Sequence, residues 1–176
     1  MKAMLMSFLI VMVAALTGCS ATIDDYRDSS PEFKLETFFN GKLVAYGTFQ
    51  DRSGEVTRRF RVEMVGTWEG NKGVLDEDFY YDDGATEKRI WRLEKLAPGR
   101  YRGTADDVVG EAIGETQGFA LNWKYELLLP VDDDVYQLAF DDWMFLVTEN
   151  HVINRAKVTK FGIEVGQVTL SIHKLP

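Results

Sequence analysis

The sequence is poor in the residues that metal centres and many active sites require. Its 176 residues include one cysteine, Cys19, and two histidines, His151 and His173. A single cysteine excludes an intramolecular disulfide and a cysteine-based metal site, and neither histidine stands in a spacing such as His-Glu-x-x-His. The sequence has no Gly-x-Ser-x-Gly elbow and no glycine-rich phosphate loop before a helix. It therefore predicts no metal, no cofactor and no recognisable set of catalytic residues.

Positive charge is also scarce. The chain has 20 Lys and Arg against 28 Asp and Glu, which gives a net charge of −8. The basic residues form no cluster. Because the phosphates of DNA and RNA repel an acidic chain without a basic patch, the composition disfavours a nucleic-acid partner.

The N-terminus carries the clearest targeting pattern. Met1-Lys2 precedes an apolar run over residues 5–16 and then small residues, an order that predicts a secretory signal peptide over 1–18. The run is too short to cross a membrane. The sequence Leu16-Thr17-Gly18-Cys19 resembles the bacterial lipobox, which implies that Cys19 becomes the acylated first residue. An ordinary cleaved signal peptide, with the cysteine there by chance, is the alternative.

An acylated Cys19 predicts a durable membrane anchor. One acyl chain binds a bilayer only marginally, whereas two or more hold a protein there. The residue after the cysteine is Ser20 rather than aspartate. In the enterobacterial sorting rule that this resembles, such a residue implies the outer membrane, on its periplasmic face.

Beyond the anchor, the sequence divides into a tether and one domain. Residues 19–36 are polar without a clear period and predict an acylated tether. Residues 37–176 alternate apolar and polar side chains between closely spaced turns, as in Thr57–Trp68, and Asp82-Asp83-Gly84 is a strong hairpin signal. This pattern predicts an all-β domain of eight to ten strands that closes into a single antiparallel up-and-down barrel. A two-sheet sandwich or an open half-barrel is the alternative, and one short helix is expected around Asp106–Ile113.

One strand carries an unusually bulky apolar face. Phe119, Leu121, Trp123 and Tyr125 point the same way in Gly118–Leu129. This face is either core filling or the wall of a ligand cavity, in which Tyr and Trp keep a polar group for orienting a ligand. Trp91 could join that wall.

The pair Asp141-Asp142 interrupts an apolar stretch, so one of the carboxylates is expected inside the domain, where it needs a cation or several donors. Arg155 follows across a short turn and could pair with either aspartate or stack on Trp143. A structural role and a ligand-binding role both remain open. The candidate ligand-binding residues are Trp91, Phe119, Leu121, Trp123, Tyr125, Asp142, Trp143 and Arg155, with Cys19 as the lipidation site.

Several short strings together resemble an uncharacterised family of proteobacterial lipoproteins, known as a domain of unknown function, from about Phe38 to the end. They include Phe39-Asn40-Gly41, Arg89-x-Trp91, Trp123-x-Tyr125, Asp141-Asp142-Trp143-Met144 and Lys160-Phe161-Gly162. The barrel pattern is also similar to that of lipocalins and other calycins. That resemblance implies a fatty acid or lysophospholipid as ligand.

Three functions follow as hypotheses. The first is an outer-membrane lipoprotein whose barrel binds a small apolar or amphipathic ligand, a lipid or fatty acid. The second is a structural or assembly accessory of the cell envelope that acts on an envelope protein through its surface, with a solid core. The third is an enzyme that uses Asp106, Asp141 or Asp142 with Arg155, which requires those side chains to converge in one cleft.

Overall fold

Strands make up most of the chain that the computed structural model describes, which is residues 20–131 and 134–176. The predicted signal peptide and Cys19 lie outside the described residues. A 3-10 helix at Ile23–Tyr26 and a short helix α1 at Leu35–Phe38 precede the strands. The strands are β1 (Gly41–Asp51), β2 (Val56–Glu69), β3 (Lys72–Tyr81), β4 (Thr86–Ala97), β5 (Arg100–Thr104), β6 (Ala112–Gln117), β7 (Ala120–Val131), β8 (Asp134–Thr148), β9 (His151–Lys160) and β10 (Ile163–Lys174). Neither helix in the described part of the chain has the length and apolar character that crossing a bilayer would require.

The strands form one closed antiparallel barrel. Each strand pairs with the next in sequence, and β1 completes the ring by pairing with β10, from Leu43 opposite Lys174 to Asp51 opposite Gly166. This confirms the predicted up-and-down barrel. The alternatives of a sandwich and an open half-barrel are wrong. In a closed barrel every strand has two hydrogen-bonded neighbours. The short β5 and β6 pair only with Arg92–Ala97 of β4 and Ala120–Lys124 of β7, so the ladder there does not reach the mouth.

The period-two sequence pattern separates the inside of the barrel from the outside. In β2, Val62 and Met64 are buried inside, whereas Glu63 and Val65, which alternate with them, are exposed. Because consecutive hairpins turn at opposite ends, the turns after odd-numbered strands lie at one end, here called the mouth. The turns after even-numbered strands lie at the other, here called the closed end.

The closed end is covered by the segment that precedes β1. Within it, Phe33 and Leu35 are 0% and 2% exposed, and the Phe33 N–H donates to the Gly118 carbonyl at 2.7 Å. The prediction of a tether over residues 19–36 is therefore wrong at Phe33 and Leu35, which belong to the folded domain. Apolar side chains in an irregular segment can be buried without any period, so the pattern gave no sign of it. The buried residues of the segment are Phe33, Leu35, Phe38 and Phe39.

The helix predicted around Asp106–Ile113 is also wrong. A loop joins β5 to β6, and Val108 within it forms an isolated bridge to Leu127 of β7. The neighbouring Asp107 accepts hydrogen bonds from Arg89. These long-range contacts hold the loop against β4 and β7, and local sequence preference does not indicate them.

A substitution at the β9–β10 turn is expected to stabilise the barrel. Phe161 is 93% exposed and has a φ of 52°, and Gly162 follows with a φ of 78°. Both angles match the two-residue hairpin turn that favours Asn-Gly. An L-residue other than Asn, Asp or Gly costs about 1–2 kcal/mol in this region. We expect Phe161→Asn to raise the free energy of unfolding by roughly 1 kcal/mol, measured by urea denaturation. A lower free energy of unfolding would mean that the exposed ring makes a stabilising contact.

Candidate ligand-binding site

The barrel is hollow. A cavity of about 500 Å³ runs through it, within the range of small-molecule sites. At the closed end its floor is formed by Leu35 and Phe39, and its lining continues to Tyr81 and Pro130 beside the turns of the mouth. The cavity therefore has a solid floor and opens at the mouth.

Aromatic rings form much of the wall. The Trp91 ring meets the edges of Trp123 at 5.7 Å and Tyr125 at 5.4 Å, and Tyr125 stacks on Phe140 at 5.1 Å. Gly103 makes room for this packing, because a Cβ there would lie 2.7 Å from the Trp123 ring. Rings that fix one another in this way give the cavity a preformed wall.

A buried carboxyl group faces this wall. Asp142 is 6% exposed and accepts a hydrogen bond from the Tyr125 hydroxyl at 3.1 Å, while its Oδ1 has no partner among the described residues. Burial raises the pKa of Asp142 to about 7, and the nearby charge of Asp141 adds to the rise. The hydrogen bond from Tyr125 only partly opposes it.

A second carboxyl group lies opposite an arginine inside the barrel. Glu77 of β3 and Arg89 of β4 are cross-strand partners, and both line the cavity. Burial raises the pKa of Glu77 to about 7, against the opposing effect of the Arg89 charge. Arg89 donates to Asp107 through two of its nitrogens, with Nε at 2.9 Å and Nη2 at 2.7 Å from Oδ2. The hydrogen-bonded ion pair of the guanidinium is therefore with Asp107 of the loop, while Glu77 acts on it through its charge.

Two further polar features complete the lining. Asn154 of β9 is fully buried, and its Oδ1 also has no partner among the described residues. At the mouth, Arg58 stacks on the Tyr81 ring at 3.5 Å and pairs with Asp83 at 3.3 Å. The Tyr81 hydroxyl donates to Glu87 at 2.8 Å.

Five of the eight predicted ligand-binding residues line the cavity, and three do not. Phe119 lies in the turn before β7 and packs on Tyr26 at 5.4 Å, outside the barrel. Trp143 also faces outward and contacts Tyr26 and Phe145. The residues in the wall are Trp91, Leu121, Trp123, Tyr125 and Asp142.

The predicted partnership of Arg155 with an aspartate is wrong. Asp142 lies opposite Ala156 in the β8–β9 register, so Arg155 points to the outer face, where its Nε donates to Gln167 at 3.0 Å. The stack of Arg155 on Trp143 is not formed either, because Trp143 packs on other aromatic rings.

The acidic residues of the enzyme hypothesis are scattered as well. Asp141 is on the outer face with Lys124 at 3.7 Å, and Asp106 pairs with Arg92 at 3.1 Å. The described residues contain no group of three or more His, Cys, Asp or Glu that could hold a metal ion. The set proposed for catalysis therefore does not converge in a cleft.

Sequence reasoning missed Glu77, Arg89, Asp107 and Asn154. A signal existed for the first two, because Glu77 shares a face with Leu75 and Phe79, and the hairpin at Asp82-Asp83-Gly84 pairs it with Arg89. Two charged residues on the inner faces of one hairpin indicate a polar site inside a barrel. Asp107 and Asn154 gave no comparable signal.

The comparisons with known proteins identify a family. A family model described as "Protein of unknown function (DUF3833)" matches residues 13–174. The chain belongs to this family. The match confirms the predicted membership of a domain-of-unknown-function family, and the description assigns no activity to its members. No curated protein matches the chain.

A solved structure shows the same architecture as this DUF3833 member. It is described as the structure of the S-type phycobiliprotein lyase CPES from Guillardia theta. The TM-score is 0.57 at 10% identity, with 82% of this chain and 94% of that chain covered. At this identity the likeness shows the fold alone, and it confirms the predicted calycin-like, lipocalin-like barrel.

Proposed function

We propose that this protein is an envelope lipoprotein whose barrel binds a small apolar or amphipathic ligand, a lipid by class, inside its cavity. The observation that carries the proposal is the hollow, aromatic-lined interior of about 500 Å³ above a solid floor. A folded domain normally fills such a space, because an empty apolar cavity is destabilising. The likeness to a phycobiliprotein lyase of calycin-like fold is consistent with a small ligand.

The proposed anchor and the barrel together suggest an orientation. The 3-10 helix Ile23–Tyr26 contacts β6 and β7, and the Phe119 N–H donates to the Ser29 hydroxyl at 3.3 Å beside the β6–β7 turn. The chain thus enters at the closed end. Acyl chains on Cys19 in the periplasmic face of the outer membrane would hold that end towards the lipid. The mouth would then face the aqueous compartment, and ligand would exchange there.

The cavity favours binding over the alternative of an accessory that acts through its surface. That alternative requires a core packed solid by side chains. Leu35 and Phe39 close the barrel only at one end and leave the space above them open. An accessory role alone gives no reason for this space or for the carboxyl groups in its wall.

A direct test is to identify what the barrel retains. The full chain would be solubilised from membranes and purified in the same detergent throughout. Its bound small molecules would then be extracted into organic solvent and identified by mass spectrometry. We expect a small apolar molecule close to one per chain, well above the amount in a variant with a blocked cavity. A chain that carries nothing and binds no apolar fluorescent probe would contradict the proposal.

The blocked variant can be matched to a control on the outer face. Ala156 lines the cavity, whereas Ala139 of β8 faces outward. We expect Ala156→Phe to weaken probe binding at least about tenfold, a loss of about 1.4 kcal/mol, because the ring occupies the ligand volume. Ala139→Phe should bind as the wild type does. Ala45→Leu, also in the wall, repeats the test with a smaller side chain, and thermal unfolding checks that each variant is folded.

A further inference from the structure

The polar groups of the cavity wall differ in kind from those that a fatty acid requires. A carboxylate ligand needs an unpaired cation or free donors, and two donor side chains of the wall, Arg89 and Tyr125, already donate to carboxyl groups of the protein. Arg89 forms its fork with Asp107, and the Tyr125 hydroxyl donates to Asp142. At the mouth, Arg58 pairs with Asp83.

Acceptors, by contrast, remain open. Asp142 Oδ1 and Asn154 Oδ1 are both buried without a partner among the described residues, and both side chains line the cavity. A buried acceptor that has lost its water and found no donor is destabilising by about 1–3 kcal/mol. Native proteins leave few such atoms, so two in one cavity indicate that a ligand supplies the missing donors.

The charges of the wall favour the same kind of ligand. Glu77 and Asp142 both face the cavity, and Arg89 between β3 and the β5–β6 loop forms its salt bridge with Asp107, at 2.7 Å. Burial raises the pKa of both carboxyl groups, so they hold protons or negative charge according to their surroundings. A cationic head group would favour their charged form, whereas a carboxylate would be repelled by it.

We propose that the cavity selects apolar ligands that carry a hydrogen-bond-donating amine, hydroxyl or amide group, and that it discriminates against free fatty acids. Asp142 and Asn154 accept the hydrogen bonds of that group, and Glu77 adds negative potential. The aromatic wall of Trp91, Trp123 and Tyr125 surrounds the apolar part. This inference rests on the proposed function, whose ligand class it narrows.

Three probes with the same twelve-carbon chain test the selection: dodecylamine, dodecanol and dodecanoic acid. Each would be titrated into the purified full chain at pH 7.5, below its micelle concentration, with tryptophan fluorescence and calorimetry as readouts. We expect the amine to bind at least about tenfold more tightly than the acid, as one hydrogen bond to a charged group implies. The alcohol should lie between them.

Variants locate the selectivity. Asp142→Asn should remove most of the preference for the amine, while Asp106→Asn, at a side chain that is 92% exposed, should leave it unchanged. Asn154→Leu should weaken the alcohol and the amine more than the acid. Asn at position 142 is close in shape to Asp, so the variant is expected to fold, and circular dichroism checks this.

The outcomes separate the two proposals. If none of the three probes binds, the proposed function itself is contradicted. If they bind and the acid binds as tightly as the amine or more tightly, the barrel is a lipid-binding module but the head-group inference is overturned. Equal selectivity in Asp142→Asn and the wild type would overturn the role of Asp142.

Discussion

Replacing Phe33 with alanine is expected to lower the free energy of unfolding by about 3–5 kcal/mol, the usual loss for a fully buried phenylalanine. The ring is 0% exposed and packs on Phe38 at 5.7 Å and Phe39 at 6.4 Å. Its loss would leave a void beneath the floor of the cavity. Urea denaturation of the full chain followed by circular dichroism measures the effect.

Phe161→Ala is the matched control, because that ring is almost fully exposed. A surface change of this kind stays within about 0.5 kcal/mol. If Phe33→Ala also stays within that range, the segment before β1 is a loose tether after all. The closed floor of the cavity would then be wrong.

The second large effect is expected when the two carboxyl groups of the cavity wall, Glu77 and Asp142, are made neutral. The double variant Glu77→Gln/Asp142→Asn should match the wild type in stability near pH 4 and exceed it by several kcal/mol at pH 8. Each pKa is raised to about 7 in the folded chain, chiefly by burial. The unfolded chain releases these protons near pH 4, so between pH 4 and pH 7 the folded state binds more protons than the unfolded state.

This difference in bound protons makes the wild type less stable as pH rises. Between pH 4 and pH 7 its free energy of unfolding falls by about 1.4 kcal/mol per pH unit for each group. The loss is complete above the folded pKa. Amides carry no such penalty, so the difference between the variant and the wild type grows through this window and then becomes constant.

Urea midpoints at several pH values between 4 and 8 measure this difference, with Asp106→Asn as an exposed control. The wild type also contains carboxylates whose pKa is lowered by their partners, such as Asp82 beside Arg59, and these act in the opposite direction. Subtraction of the two curves removes their contribution. A double variant that is less stable than the wild type at pH 8 would contradict the prediction that the two carboxyl groups destabilise the folded chain at that pH.

The destabilisation expected from Glu77 and Asp142 indicates that these residues serve a function other than stability. If these positions contributed only to stability, we would expect apolar residues there. A carboxylate inside a domain without a salt-bridge partner is destabilising. Carboxyl groups retained in the wall of an open cavity are typical of binding sites. The predicted gain in stability on their removal and the predicted loss of ligand selectivity are therefore two measurements of the same site.

The architecture followed from the sequence because it depends on local information. Alternation in stretches such as Thr57–Trp68 specifies strands, and turn residues such as Asp82-Asp83-Gly84 specify hairpins. In a long series of hairpins the first and last strands have unpaired backbone N–H and C=O groups, and pairing these two strands with each other closes the barrel. The same alternation of inward and outward side chains predicted the wall residues Trp91, Leu121, Trp123 and Tyr125.

The floor and the polar site depended on contacts that local pattern does not encode. The segment containing Phe33 and Leu35 has no period, so its burial emerges only once the barrel offers an end to cover. Likewise Asp107 lies in a loop, and nothing near it in sequence indicates the arginine of β4 with which it pairs.

Arg155 shows how finely tertiary structure decides a site. Thr148 and His151 are paired on either side of the turn at Glu149-Asn150. If the register continued regularly from this pair, Arg155 would lie on the same face as Asp142. The register instead shifts between Leu146 and Thr148, so that Asp142 lies opposite Ala156 and Arg155 turns outward. The sequence alone determined an acidic, closed β-barrel with a bulky aromatic wall. One extra residue in one strand, which only the packing of the folded barrel selects, decided that Asp142 enters the cavity without Arg155 at its side.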